Sequence, residues 1–293
     1  MRILLIGNTG QLGWELERTL APLGELNTCD YPDIDLADNA GIRQFIRQCQ
    51  PDVLVYAAAY TAVDRAESEP DIAQAINAVA PGVLAEEAHQ IKAALIHFST
   101  DYVFDGQKGS PYLETDPPNP LNVYGHTKLV GEQAVQKVAG AYLILRTSWV
   151  YSLRRDSFVT KVLGWARKQT NLKLVTDQVS NPTWSRALAE ACSQLITAAR
   201  SDPYGWFVEH HGLYHLAGSG YCSRFEWGQE ILQQDPHPGE QVTQQILPAL
   251  TAEFLTPAQR PLFSALNCDH FFDDFGFKLP DWRFALKRAM ETV

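Results

Sequence analysis

Short apolar runs separated by amphipathic stretches dominate the first half of the chain. Residues 2–6 (RILLI), 25–30, 53–59, 94–99 and 142–147 read as strands. Several are continuously apolar, as strands of a parallel sheet covered on both faces are. Between them the period changes to that of a helix. Residues 14–23 place Leu16, Leu20 and Leu23 on one side, and residues 39–49 and 71–90 follow the same rule. The spacing predicts a further helix over 124–138, with Leu129, Val130, Ala134 and Val138 facing inward. Residues 106–122, rich in proline and glycine, read as one long loop, a length that usually accompanies function. Strand alternating with helix predicts an α/β protein built on a doubly wound, Rossmann-type parallel sheet. Residues 1–150 would form the dinucleotide-binding part. Residues 151–293 would form mainly a smaller substrate lobe, with 184–216 as a segment able to return to the first.

The later pattern is less regular. Helices are expected over 157–169, 185–199, 223–233 and 282–291, and strands over 172–175 and 213–216. Which lobe 185–199 joins is open from chain order alone.

Glycines follow the first strand at once: Gly7-Asn8-Thr9-Gly10-Gln11-Leu12-Gly13. A glycine turn between strand and helix lets backbone N–H groups approach a pyrophosphate at the helix N-terminus. The spacing is GxxGxxG, which departs from the common GxGxxG. Asp30 ends the second strand, where an acid bonds a ribose 2′-hydroxyl; a turn residue before Tyr31-Pro32 is the other reading. Asp35-Leu36 is placed to flank an adenine. Ala57, Ala58 and Ala59 end the third strand in small side chains, with Tyr60 and Thr61 at its edge.

Tyr124 and Lys128 stand four apart, on one face of the expected helix. A phenol beside an ammonium suits ketone reduction, because a fixed cation lowers the phenol's pKa and readies a proton donor. Ser99 and Thr100 end the fourth strand, where either hydroxyl is able to hold the ketone oxygen. Trp149, just past the fifth strand, can stack on a sugar or base, or pack between lobes. Arg260 is a candidate diphosphate ligand.

Composition excludes more than it selects. The 293 residues are 45% hydrophobic and carry a formal net charge of -10, against the basic surface of a nucleic-acid binder. No apolar run approaches the ~20 residues of a membrane span. Five scattered cysteines without a CxxC pair read as reduced thiols of a cytoplasmic protein. His210, His211 and His215 lack a carboxylate or cysteine to complete a metal set and read as a loop pair and a packed histidine.

Together these stretches resemble the extended short-chain dehydrogenase/reductase family. The resemblance runs through residues 7–16, 57–70 (AAAYTAVDRAESEP), 99–104 (STDYVF), 120–132 (PLNVYGHTKLVGE) and 146–151 (RTSWVY). It continues through 177–178, 182–183, 212–216 (GLYHL) and 256–261 (TPAQRP), nearly the whole chain. It implies hydride transfer from NADPH or NADH to C4 of a dTDP-4-keto-6-deoxyhexose. Thr100, Tyr124 and Lys128 would be the catalytic three. Gly7, Gly10, Gln11, Leu12, Gly13, Asp30, Asp35, Leu36, Ala58, Ala59, Tyr60 and Thr61, with Tyr124 and Lys128, would hold the cofactor. Thr100, Asp101, Trp149 and Arg260 would meet the dTDP-sugar. Two departures stand out. Tyr60 replaces the family's histidine. Glu15 matches a glutamate of a subunit-bridging magnesium, but Arg186 stands where another belongs and Glu291 matches loosely, so magnesium is doubtful, no metal ligand is assigned, and a monomer or homodimer is expected. Another nucleotide 4-keto sugar as substrate, an epimerase or dehydratase, and a non-catalytic regulatory subunit like the beta subunit of methionine adenosyltransferase are the alternatives.

Overall fold

A computed structural model describes residues 1–291. Strand β1 (Arg2–Ile6) leads through the glycine turn into α1 (Gln11–Leu20), then β2 (Glu25–Cys29), α2 (Asn39–Cys49) and β3 (Val53–Tyr56). Helix α3 (Ala80–Gln90), β4 (Ala94–Thr100), α4 (Val123–Val138) and β5 (Tyr142–Thr147) follow. The rest comprises α5 (Phe158–Ala166), β6 (Asn171–Val175), α6 (Ser185–Ala198), β7 (Gly212–His215), α7 (Arg224–Gln233), β8 (Gln245–Ala249) and α8 (Trp282–Met290), with short helical turns and two-residue strands between.

Six strands form one parallel sheet in the order β7-β5-β4-β3-β1-β2. The α/β, doubly wound architecture is as expected. Alternate residues build the two faces. Ile3, Leu5, Val55, Ile96 and Leu145 pack with α1 and α6. Leu4, Ile6, Leu54, Leu95 and Ile144 pack with α2 and α3. Both faces are covered, which is why the inner strands tolerate no polar alternation. Helix α6 therefore belongs to this face, and β7 extends the sheet beside β5. A third core, with Tyr151, Val162, Trp227, Ile231, Trp282 and Leu286, fills the other lobe. No helix among the described residues is long and apolar enough to cross a membrane.

Several elements differ from expectation. The third strand stops at Tyr56, leaving the alanines as extended loop. The pattern over 71–90 is interrupted by a π-helical turn, Ala75–Val79, just before Pro81; proline has no N–H for the helical ladder. Short helices at Pro203–Glu209 and Asp269–Phe275, and strand β8 with Pro248 inside it, were not anticipated. The inward face of α4 is also corrected. Leu129 and Val138 do pack against the cores but only partly buried, Val130 and Ala134 are likewise half-buried, and the fully buried positions are Gly125, Thr127, Lys128, Gly131, Glu132 and Val135. The helix lies close against the π-helical turn: a Cβ on Gly131 would come within 2.1 Å of the Asn77 carbonyl oxygen.

Candidate active site

The carboxyl ends of β1 and β3 meet where the strand order reverses, the crevice in which such sheets bind ligands. Gly7 adopts φ +94°, and a Cβ there would lie 2.5 Å from the Ala58 nitrogen. A Cβ on Gly13 would lie 1.9 Å from the Gly7 oxygen. These two glycines are demanded by the protein itself. Gly10 is different, for its nearest neighbour would be 3.4 Å away, so the space above it is open. No side chain caps α1, which leaves its first N–H groups free for an anion. The cradle fits a dinucleotide pyrophosphate. Asp30 closes the turn, receiving the Thr9 hydroxyl and the Tyr31 N–H. Asp35 accepts the Ala37 N–H, and Leu36 packs partly buried beside it. Gln11 reaches across to the other lobe, its oxygen accepting from the Ser152 N–H at 2.8 Å, while Leu12 is buried in the core.

Asn77 is a site residue to which the sequence assigned no role. Fully buried, it accepts from the Tyr60 N–H at 2.9 Å and donates to the Tyr60 carbonyl at 3.1 Å and to Thr127 Oγ1 at 3.2 Å. It ties the loop of Ala58, Ala59, Tyr60 and Thr61 to the helix of Tyr124. The Tyr60 hydroxyl is already committed to Glu69.

Asn122 caps α4 by accepting from the Gly125 N–H at 2.8 Å, presenting Tyr124 on the first turn. The Tyr124 phenol lies close enough to the Thr100 side chain for that hydroxyl to favour the phenolate. Thr100 Oγ1 also accepts from the Tyr102 N–H and lies 3.2 Å from Asp101 Oδ1. Thus two of the three expected catalytic groups stand near one another at the carboxyl end of β4. Ser99 points elsewhere, and its buried hydroxyl has no partner among the described residues. The effect expected of Lys128 is not seen. Burial holds the Tyr124 phenol above its ordinary pKa, opposed by the nearby Thr100 side chain rather than by the ammonium. Lys128 runs inward and donates to the Phe98 carbonyl at 2.6 Å. Burial lowers its own pKa to about 8, with Glu132 pulling the other way.

On the substrate side Asp101 is committed to the protein. Its carboxylate accepts from Ser264 Oγ at 2.5 Å and Ser180 Oγ at 3.1 Å, joining the lobes, and burial raises its pKa to about 6. Trp149 is half-buried at φ +42°, a conformation costly for a side chain of its size. Its ring stacks on Trp227, centroids 5.4 Å apart, so the inter-lobe packing reading describes at least one face. Arg260 donates to Asp64 Oδ2 and to Thr256 Oγ1, both at 2.7 Å. Its charge is matched before any ligand arrives. His215 is the packed histidine, its pKa driven to about 3 by burial. Arg186 lies 3.4 Å from Glu15 and 2.7 Å from Glu190.

The chain matches the family model described as "RmlD substrate binding domain" over residues 1–293. It is 41% identical to the dTDP-4-dehydrorhamnose reductase of Escherichia coli strain K12 over 100% of this chain and 98% of that one. Two solved structures superpose with a TM-score of 0.90 over 100% of this chain and 99% of theirs. One is a dTDP-4-dehydrorhamnose reductase from Clostridium acetobutylicum, 32% identical. The other is the same enzyme from Bacillus anthracis in complex with NADP, 30% identical. A UDP-glucose 4-epimerase from Thermus thermophilus, 18% identical at a TM-score of 0.78, shares the fold alone. On this evidence the chain belongs to the dTDP-4-dehydrorhamnose reductase family.

Proposed function

We propose that this chain reduces the C4 ketone of dTDP-6-deoxy-L-lyxo-4-hexulose (dTDP-4-dehydro-6-deoxy-L-mannose) to dTDP-L-rhamnose, using NADPH or NADH. The observation that carries the reading is the placement of Tyr124, on the first turn of α4, near Thr100 at the carboxyl end of β4, on the same strand-end side as the Gly10 cradle. A reduced nicotinamide, when bound, supplies the hydride that the carbonyl carbon takes up. Gly7, Gly10, Gln11, Leu12 and Gly13 would hold its pyrophosphate, with Asp30, Asp35 and Leu36 toward the adenosine and Ala58, Ala59, Tyr60, Thr61 and Lys128 toward the nicotinamide. Residues 1–150, joined by 184–216, would make up this dinucleotide-binding part.

Thr100 and Tyr124 are assigned to the ketone oxygen. As negative charge develops there, the two hydroxyls stabilise it and Tyr124 passes its proton to it. A phenol with a raised pKa remains adequate for this, because an alkoxide is a stronger base than a phenolate. Burial keeps Tyr124 protonated until the moment of transfer. Lys128, fixed on the Phe98 carbonyl, is then a ligand for the dinucleotide and a source of positive potential behind the site. Trp149 would bear on the sugar, and Asp101 would act through the orientation of Thr100. We place the reaction in the cytoplasm, carried out by a monomer or homodimer.

The test is to mix the protein with the keto sugar and either NADPH or NADH and follow the nicotinamide absorbance. One reduced dinucleotide consumed per dTDP-L-rhamnose formed is expected. An altered sugar with no net consumption would replace this reading by an isomerising one.

A further inference from the structure

We propose that Arg224 is the cation that takes the diphosphate of the nucleotide sugar, an assignment that rests on the reading of the cleft given above. Arg224 is the first residue of α7, behind the N-cap Ser223. The helix dipole disfavours a cation at this end, so the stability of α7 does not account for it. Its guanidinium carbon lies 3.6 Å above the Trp149 ring and 4.6 Å from that of Phe158. Among the described residues no carboxylate pairs with it and no acceptor meets its five N–H donors. A half-buried cation without a partner is expensive, and a charged ligand removes that expense. Arg260 already has Asp64.

Placement agrees with the chemistry. Asp101 and Tyr102 lie within electrostatic reach of Arg224, and the Tyr102 ring meets Tyr124 edge-on at 5.8 Å. A sugar with C4 at Tyr124 carries its diphosphate on C1, across the pyranose ring. Tyr102, in ring contact with Tyr124 and within electrostatic reach of Arg224, links the two ends, so the diphosphate is assigned to the Arg224 side. A planar guanidinium pre-set on an aromatic face matches phosphate oxygens bidentately. Burial lowers its pKa only to about 10, so it stays charged at neutral pH.

Binding of dTDP and of thymidine to the wild type, Arg224→Gln and Arg224→Lys, measured by calorimetry, tests this, with NADH binding as the control for folding. Arg224→Gln is expected to weaken dTDP by roughly tenfold to a hundredfold, the usual range for hydrogen bonds to a charged group. Thymidine and NADH affinities stay unchanged, and KM for the keto sugar rises while kcat holds. Arg224→Lys falls between, keeping the charge and losing the fork. If Arg224→Gln fails to fold, the dTDP-to-thymidine ratio of Arg224→Lys still decides. A variant that binds dTDP within twofold of wild type, or loses dTDP and thymidine equally, overturns the assignment while leaving the function intact. A wild-type chain that ignores dTDP overturns both.

Discussion

Glu132 and Arg146 form a buried ion pair one turn beyond Lys128 on α4. Their exposures are 1% and 3%, and the carboxylate takes both Nε at 2.9 Å and Nη2 at 2.7 Å. Glu132→Gln leaves a guanidinium in the interior without its counter-charge, a loss of about 3–5 kcal/mol. Unfolding entropy scales with length, so for 293 residues each kcal/mol moves Tm by roughly 1.5–2 °C. The variant is therefore expected to melt about 5–10 °C below wild type. Arg146→Met should cost a similar amount, since it strands the carboxylate. Glu132→Leu combined with Arg146→Met should melt above either single variant, because no charge is then left unpaired. Glu132 also props up the Lys128 ammonium. Its neutralisation should move the loss of the Lys128 proton, now at about pH 8, to lower pH, and with it the alkaline fall in dinucleotide affinity. Thermal melts and fluorescence titrations with NADH across pH 6–10 read both effects. Single variants within ~1 kcal/mol of wild type, or a double variant whose loss is the sum of the singles, would refute the reasoning.

Gly10→Ala should fold normally and bind NADH poorly, since its Cβ makes only an ordinary 3.4 Å contact within the protein, whereas Gly13→Ala should itself be unstable; melts and titrations on both variants separate the cases. Asn77→Ala strands the Tyr60 N–H and should raise the NADH dissociation constant by about tenfold, from ~1–3 kcal/mol for an orphaned buried group, and equal affinity would contradict the clamp. The Asp101 carboxyl has a folded pKa raised from 3.8 to about 6, so the native state holds its proton more tightly than the unfolded chain. Its contribution to stability is complete below about pH 4 and is lost as pH rises through about 6. Denaturant melts from pH 4 to 7 should show that decline in wild type and a weaker one in Asp101→Asn.

The strands and the glycine cradle were readable because local pattern decides them. Residues 2–6, 53–56 and 142–147 are apolar on both faces, and a sheet covered on both sides leaves no other choice. The most buried face of α4 was only partly legible because its burial is set from outside the helix: Leu129 and Val138 do pack on the cores, but polar residues go deeper. Lys128 is drawn in by Phe98 of β4 and Glu132 by Arg146 of β5, partners 30 and 14 residues away. The phenol's environment was misjudged for the same reason: a shared helical face does not say where a long lysine side chain finds its acceptor. The motif spacing placed Thr100 and Tyr124 together, and the fold sets them near one another. Asn77 was hidden inside a helical pattern, although Pro81 four residues on marks the break in the ladder in which it sits. Arg224 carried one local signal, a basic residue on the unfavourable end of a helix. Its aromatic platform, Trp149, is too distant in the chain to be inferred from spacing.

The most direct measurement is the single-turnover rate of Tyr124→Phe with the keto sugar and NADH, beside its NADH affinity. The account predicts that dTDP-L-rhamnose formation falls by at least ~100-fold, the scale of a lost general acid, while NADH binds as in wild type. Reduction at the wild-type rate by a chain without that hydroxyl would contradict it.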